Sequence, residues 1–365
     1  MVRKWRAEGL PAVVLALTLL GALAVLVPVR MDMVLSGDGS IYTTMVEHPG
    51  KPVGGHFHRY RILGPLIVRW LPWDVDTGFR VLTFSSSFVA SLLCYGIGRE
   101  LGLSAARALP IVPMYLLTWP TVANVFQYRL VDPLAWVFVA AALLLLLKGR
   151  PHAACLVAGI GVLAKETVIL ILPLSVWVYW RSGRTHRAGR LLGVLAISLI
   201  PYAVVRMVIP GEVAAGSALR PTLDYLIDRW TEQWREVGPL YTLFYTFAPF
   251  GVLWFLLPLG FLRLAPPARE MLGGWLLITV PALLNGSPER MLEVHAPAIL
   301  PPASLALSSA RPPLAILVVI ANGLFILRIA ATALPYAIAW TSLLVAALGV
   351  GWIWCTTVRY GTGIR

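Results

Sequence analysis

Residues 161–173 read GVLAKETVILILP, so that a lysine and a glutamate stand together inside an apolar stretch. No polar side chain occurs from Leu156 to Leu163 or from Val168 to Leu174. Charged groups inside such runs are costly in a membrane and usually functional. Two interpretations fit this pair: Lys165 and Glu166 form an internal ion pair that caps a re-entrant turn, or the Lys165 ammonium binds a phosphate.

The composition extends this membrane interpretation to the whole chain. Of 365 residues, 58% are hydrophobic and 13% are charged, about half the charged fraction of a typical soluble domain. Apolar runs recur from Leu10 to Cys355 and leave no room for an independent soluble domain. We therefore predict an all-α, polytopic transmembrane bundle that forms a single transmembrane domain over residues 1–365.

The apolar runs predict about 11–12 membrane spans. They cover residues 10–29, 79–98, 108–123, 131–147, 152–164, 167–180, 191–209, 241–262, 271–284, 294–309, 314–330 and 335–357. The runs at 152–164 and 271–284 are short, which fits tilted, broken or half-inserted helices.

The net charge of +13 is interpreted as a topology signal, and nucleic acid is not expected as a partner. With the N-terminus in the cytoplasm, the short basic connections fall on the inner side and most acidic residues on the outer side. The long loops 30–78 and 210–240 then face outward. We predict a multi-pass protein of the cell inner (plasma) membrane whose active site faces the outside or periplasm.

Each long outer loop contains a segment with the pattern of an interfacial helix. Residues 62–71 are apolar with one arginine and are too short to span a bilayer. Residues 223–237 have apolar or aromatic side chains at positions 223, 226, 227, 230 and 234, which is a helical spacing, with charged residues between them. Both segments are predicted to lie along the membrane surface.

Three further groups of ionisable residues lie at predicted outer helix ends. Asp38 is flanked by glycines in residues 36–42, which suits either close approach of a substrate or a simple turn. Asp132, after Arg129 and before Pro133, is either part of a site or a helix N-cap. The loop 287–295 either contributes to a site or marks the membrane interface.

These motifs, in this order, resemble the GT-C superfamily of membrane glycosyltransferases, which depend on polyprenyl-phosphate sugars and include the dolichyl-phosphate-mannose mannosyltransferases. The resemblance lies in the outward Asp38, in Asp132-Pro133-Leu134-Ala135-Trp136, in residues 161–173 and in Glu289-Arg290-Met291-Leu292 with the later prolines. Tyr60-Arg61-Ile62-Leu63-Gly64-Pro65 also resembles the juxtamembrane helix that follows the catalytic aspartate in small bacterial members.

The resemblance implies sugar transfer from a polyprenyl-phosphate donor to a glycan, lipid or protein acceptor, with membrane lipids around the helices. It implies that Asp38 is the base that gives inversion at the anomeric carbon. Lys165 would neutralise the donor phosphate, with Arg61 and Arg290 as second candidates. The remaining expected substrate-binding residues are Glu166, Asp132, Tyr60, Arg129 and Glu289.

The same residues leave two other functions and a metal site to consider. A secondary transporter also has about twelve spans, but the two halves of this chain show no repeat and its charges cluster at helix ends. A lipid-binding protein without catalysis is the remaining alternative. His56 and His58 supply only two metal ligands without a placed third, so no metal or other cofactor is predicted.

Overall fold

The computed structural model describes residues 2–34, 37–49, 58–181, 188–209, 231, 235, 238–279, 292–331 and 335–359. Within this part of the chain all regular elements are helices, which confirms the predicted all-α class. The α-helices are α1 (Val2–Leu26), α2 (Met31–Val34), α3 (Gly37–Glu47), α4 (Leu63–Trp70), α5 (Val75–Glu100), α6 (Ala105–Ala108), α7 (Ile111–Leu116), α8 (Trp119–Phe126), α9 (Asp132–Leu147), α10 (Pro151–Gly161), α11 (Ile171–Arg181), α12 (Ala188–Val208), α13 (Pro239–Phe247), α14 (Leu253–Leu262), α15 (Pro266–Thr279), α16 (Ala296–Leu307), α17 (Pro312–Ala331) and α18 (Tyr336–Arg359). Short 3₁₀ helices cover His58–Tyr60, Glu166–Leu170 and Leu292–His295.

Among the described residues, five helices are long and apolar enough to cross a membrane: α1, α5, α12, α17 and α18. A bent pair of helices between Ala105 and Phe126 would make a sixth. The other predicted runs correspond to shorter helices, such as α9, α10 and α14. Apolar side chains of α12, including Leu192, Ile197 and Ile200, are exposed, as expected for a helix that faces lipid.

Two predicted spans are interrupted. The run at 108–123 is divided where Thr118 caps α8 by accepting a hydrogen bond from the Thr121 amide, and the chain bends there by 48°. The run at 241–262 is divided between α13 and α14 at Gly251, which has a left-handed backbone with φ +53°. The Asn322 side chain fills the space beside Gly251 and accepts a hydrogen bond from the next amide at 2.9 Å.

Helix α5 lies at the centre of the fold, and its buried residues are divided between two hydrophobic cores. One core joins residues of α5 to α3, α4, α9, α10, α11 and α15. The other core joins residues of α5 to α1, α7, α14, α16, α17 and α18. Because α5 and α9 both begin at the same end of the bundle, the residues before them are brought together there.

The segment between α1 and α5 contributes α3 and α4 to that end of the bundle. Helix α4 matches the predicted interfacial segment at 62–71: Gly64, Pro65 and Val68 are buried, whereas Leu66 and Trp70 are exposed. Helix α3 begins at Gly37, within residues 36–42, for which the sequence left a simple turn as one of two alternatives. The predicted interfacial helix at 223–237 lies outside the described residues, apart from positions 231 and 235.

Candidate active site

Asp38 is the second residue of α3, where a carboxylate favours the helix N-terminus. Gly37 has φ +53°, a conformation that suits glycine and turns the chain into the helix. Gly39 lies so close to the Val34 carbonyl that a Cβ atom would come within 2.3 Å of its oxygen. The glycines on both sides of Asp38 are therefore used by the fold, and they fix where its carboxylate is placed.

The carboxylate of Asp38 is bonded to a histidine from the adjacent 3₁₀ helix. His58 Nε2 lies 3.0 Å from Asp38 Oδ1, and both side chains are about one quarter exposed, at 25% and 24%. The His58 ring also stands edge-on to the Tyr42 ring, with centroids 6.1 Å apart. His58 was considered in the sequence only as a metal ligand, so its contact with Asp38 is new from the structure.

Arg61 connects this region to the Lys165–Glu166 segment. Its Nε donates to Glu166 at 3.0 Å, and its Nη1 donates to the Tyr42 hydroxyl at 3.2 Å. Tyr42 is fully buried, and burial raises its pKa, so the hydroxyl stays neutral. The backbone amide of Leu63 also donates to the Leu163 carbonyl at 3.0 Å, which fixes α4 against the end of α10.

Lys165 is paired with Asp132, and Trp136 lies beside them. The Lys165 ammonium donates to Asp132 Oδ1, and each side chain is only 3% exposed. Lys165 Nζ lies 5.0 Å from the centre of the Trp136 ring, one helical turn after Asp132. The alternative of an internal Lys165–Glu166 pair is wrong, because Lys165 pairs with Asp132 and Glu166 pairs with Arg61. The alternative of Asp132 as an N-cap is also wrong, because Val131 occupies the N-cap position of α9.

A second ion pair lies next to α3. Arg129 donates to Asp76 Oδ1 from Nε at 2.8 Å and from Nη2 at 2.6 Å, and the Tyr128 hydroxyl donates to the same oxygen at 2.9 Å. Arg129 Nη1 also donates to Thr43 of α3 at 2.9 Å. Asp74 caps α5 by accepting a hydrogen bond from the Thr77 amide. Asp76, two residues further along, uses its carboxylate to hold Arg129.

Tyr60 and the late acidic cluster complete the predicted set. Tyr60 is buried, and the Arg206 guanidinium of α12 lies 3.9 Å from its ring centre. Glu289 and Arg290 lie outside the described residues. Glu293, just beyond them, is buried and accepts hydrogen bonds from Tyr115, Thr121 and Asn124 at 3.0–3.3 Å.

The structure thus brings six of the sequence motifs' residues into one connected group. The buried Tyr42 hydroxyl lies within the electrostatic influence of Arg61, Asp38 and Asp132. Glu166 joins this group through Arg61, and Lys165 joins it through Asp132. Arg129 borders the group through α3. Among the described residues, no three His, Cys, Asp or Glu side chains are placed to hold a metal ion. The arrangement can take a proton at a carboxylate and bind a phosphate at a cation.

No protein-family model matches the chain, and no curated protein has a significantly similar sequence. The solved structures that match include the Archaeoglobus fulgidus oligosaccharyltransferase tethered with an acceptor peptide containing the NVT sequon. That match has a TM-score of 0.52 and 15% identity, and it covers 96% of this chain and 55% of that chain.

A structure of the same oligosaccharyltransferase in complex with zinc and sulfate matches with a TM-score of 0.51 and 15% identity, over 93% of this chain and 53% of that chain. The chain therefore spans about half the length of these structures. At this level of identity the similarity establishes the fold. The chain has the GT-C fold of membrane glycosyltransferases, as its sequence motifs predicted.

Proposed function

We propose that the chain is an integral-membrane glycosyltransferase of the GT-C type. It transfers a sugar from a polyprenyl-phosphate donor to a hydroxyl-bearing glycan, lipid or protein acceptor, with inversion. The observation that carries this proposal is the convergence of Asp38 with Arg61, Glu166, Lys165 and Asp132 at the end of the helices where α9 begins. Sugar transfer releases a phosphate anion and removes a proton from the acceptor hydroxyl. The reaction therefore uses cations and a base in the same site.

The reaction assigns one task to each end of this group. Asp38 takes the proton of the acceptor hydroxyl while the acceptor oxygen bonds to the anomeric carbon. The bond from that carbon to the phosphate oxygen breaks, and its electron pair stays on the phosphate. The leaving phosphate gains negative charge in this step, so a nearby cation stabilises the transition state more than the bound donor.

We assign the phosphate contact to Lys165, with Arg61 and Arg290 as further cations. Each of the first two holds a carboxylate in the structure, Asp132 and Glu166 respectively. A lysine ammonium has three N–H donors, and an arginine guanidinium has five, so each cation can bond to a phosphate while it keeps its carboxylate partner. Neither member of the buried Lys165–Asp132 pair is then left unpaired. Arg129, Tyr60 and Glu289 are assigned to acceptor or donor binding around this centre.

The test of Lys165 is donor affinity measured with a panel of polyprenyl-phosphate sugars. Lys165→Met is expected to weaken binding strongly, whereas Lys165→Arg keeps the charge and should retain part of it. Unchanged affinity of the Met variant would restrict Lys165 to its structural pair with Asp132.

The site is proposed to face the non-cytoplasmic side, with the N-terminus in the cytoplasm. The basic inner connections and acidic outer loops support this orientation. Cysteines introduced at Ser40 and Ser217 should both react with an impermeant reagent added to intact cells. Labelling of both only after permeabilisation would reverse the assignment.

The decisive experiment is transfer activity in four Asp→Asn variants, at Asp32, Asp38, Asp74 and Asp76, with a panel of polyprenyl-phosphate sugars. Asparagine keeps the size of aspartate but cannot accept the proton, so Asp38→Asn should lower turnover roughly 100-fold or more. Asp74→Asn is the matched control, because Asp74 serves as a helix cap that asparagine also fills.

An active Asp38→Asn enzyme beside an inactive Asp76→Asn enzyme would move the base to Asp76. Full activity in all four variants would remove the carboxylate mechanism. Thermal unfolding of each variant separates loss of turnover from loss of folding.

A further inference from the structure

The hydrogen bond between His58 and Asp38 has a defined direction. An ionised carboxylate only accepts hydrogen bonds, so the proton lies on His58 Nε2, which donates to Asp38 Oδ1 across 3.0 Å. The bond holds Oδ1 toward His58 and so restricts rotation of the carboxylate about its side-chain bonds.

The imidazole lies against a buried side chain. Its ring packs edge-on against Tyr42, which is fully buried and receives a hydrogen bond from Arg61. Two residues further along the same 3₁₀ helix, Tyr60 is buried under the Arg206 guanidinium of α12. The 3₁₀ helix that carries His58 is therefore anchored to the bundle by buried residues.

From this geometry we infer that His58 is the positioning residue for the base of sugar transfer. It orients the Asp38 carboxylate toward the acceptor hydroxyl by donating one hydrogen bond from Nε2. This inference rests on the proposed function and adds a residue to it. Both side chains remain about one quarter exposed, so an acceptor reaches the pair from the aqueous side.

The matched test compares His58→Gln with His58→Asn. Both variants carry the same amide group, but only the glutamine amide extends far enough to replace Nε2 as a donor to Asp38. We measure kcat and KM with the polyprenyl-phosphate sugar that gives the highest turnover in the donor panel. His58→Gln should retain kcat within about 3-fold, and His58→Asn should lower kcat roughly 10-fold or more with little change in the donor KM.

A second measurement separates positioning from a general structural role. If His58 acts through Asp38, the double variant Asp38→Asn with His58→Asn should be no slower than Asp38→Asn alone. A structural role would instead add its own loss. Thermal unfolding in detergent should give the two His58 variants similar midpoints.

Equal kcat values for His58→Gln and His58→Asn would overturn the inference, whether both are active or both are defective. Additive losses in the double variant would overturn it as well. These outcomes leave the proposed function standing as long as Asp38→Asn is inactive. Activity of Asp38→Asn itself would refute the base and, with it, the role of His58.

Discussion

Ion pairs occur at both ends of α5 and α9, but the two ends hold them differently. Where these helices begin, Lys165 and Asp132 are 3% exposed and pack beside Trp136. Where they finish, Arg181 and Glu270 are 55% and 40% exposed. That pair lies at the rim of a cavity of about 710 Å³, which Glu100 also lines.

The difference in burial separates ion pairs that cost the fold little from ion pairs whose presence calls for a functional explanation. A half-exposed pair gains little stability and costs little, because water solvates both partners. A buried pair requires the removal of two charges from water, and its stabilisation of the fold rarely exceeds that of apolar residues of the same shape. The buried charges at the start of α9 therefore point to function, whereas those at the other end suit the membrane interface.

The strongest test of this contrast is removal of one partner of the buried pair. Lys165→Met leaves Asp132 buried without its ammonium, so the free energy of unfolding should fall by about 3–5 kcal/mol. Combining it with Asp132→Leu should restore most of that loss, while donor binding stays weak. Denaturant unfolding in mixed micelles gives the free energy of unfolding of the single and the double variant. An unchanged free energy of unfolding in Lys165→Met would show that the pair is hydrated.

Glu293 sharpens the comparison because its three observed hydrogen-bond donors are neutral. Its carboxylate joins Tyr115 of α7 to Thr121 and Asn124 of α8, on both sides of the 48° bend. Glu293→Leu leaves these donors without the carboxylate and should lower the free energy of unfolding by about 2–3 kcal/mol. Glu270→Leu is the matched control at an exposed site, and an equal effect of both would refute the role of burial.

The smallest effect is expected at the exposed pair. Arg181→Gln removes a bond to Glu270 that water can replace, so the free energy of unfolding should change by less than about 1 kcal/mol. Turnover should stay at the level of the unmodified protein. A loss of unfolding free energy as large as that of Lys165→Met would show that the ion pairs at the two ends of α5 and α9 do not differ in this respect.

The helices themselves were largely predictable because apolar periodicity reports which segments are buried in membrane or protein. The break before α8 also had a local signal, since Thr118 followed by Pro120 is typical of a helix start. The break before α14 had Pro249 and Gly251 as signals. Long apolar runs outweighed these signals in the sequence-based assignment.

The pairing of charges could not be predicted because it depends on packing between distant segments. Arg61 and Glu166 are 105 positions apart, and Lys165 and Asp132 are 33 apart. The sequence identified these four residues as candidates but not their partners. His58 was considered only as a metal ligand, because the local pattern His56-x-His58 carries no information about its contact with Asp38.

The hairpin of α9 and α10 has a consequence for how the chain enters the membrane. Helix α10 has 11 residues, about 17 Å of helix, which is well short of the roughly 30 Å hydrocarbon layer. A translocon that met this segment alone would also meet Lys165 just beyond it, a residue that opposes partitioning into lipid. Lys165 pairs with Asp132 at the start of α9. We therefore expect α9 and α10 to insert into the bilayer together, as one helical hairpin in which these two charges are already paired.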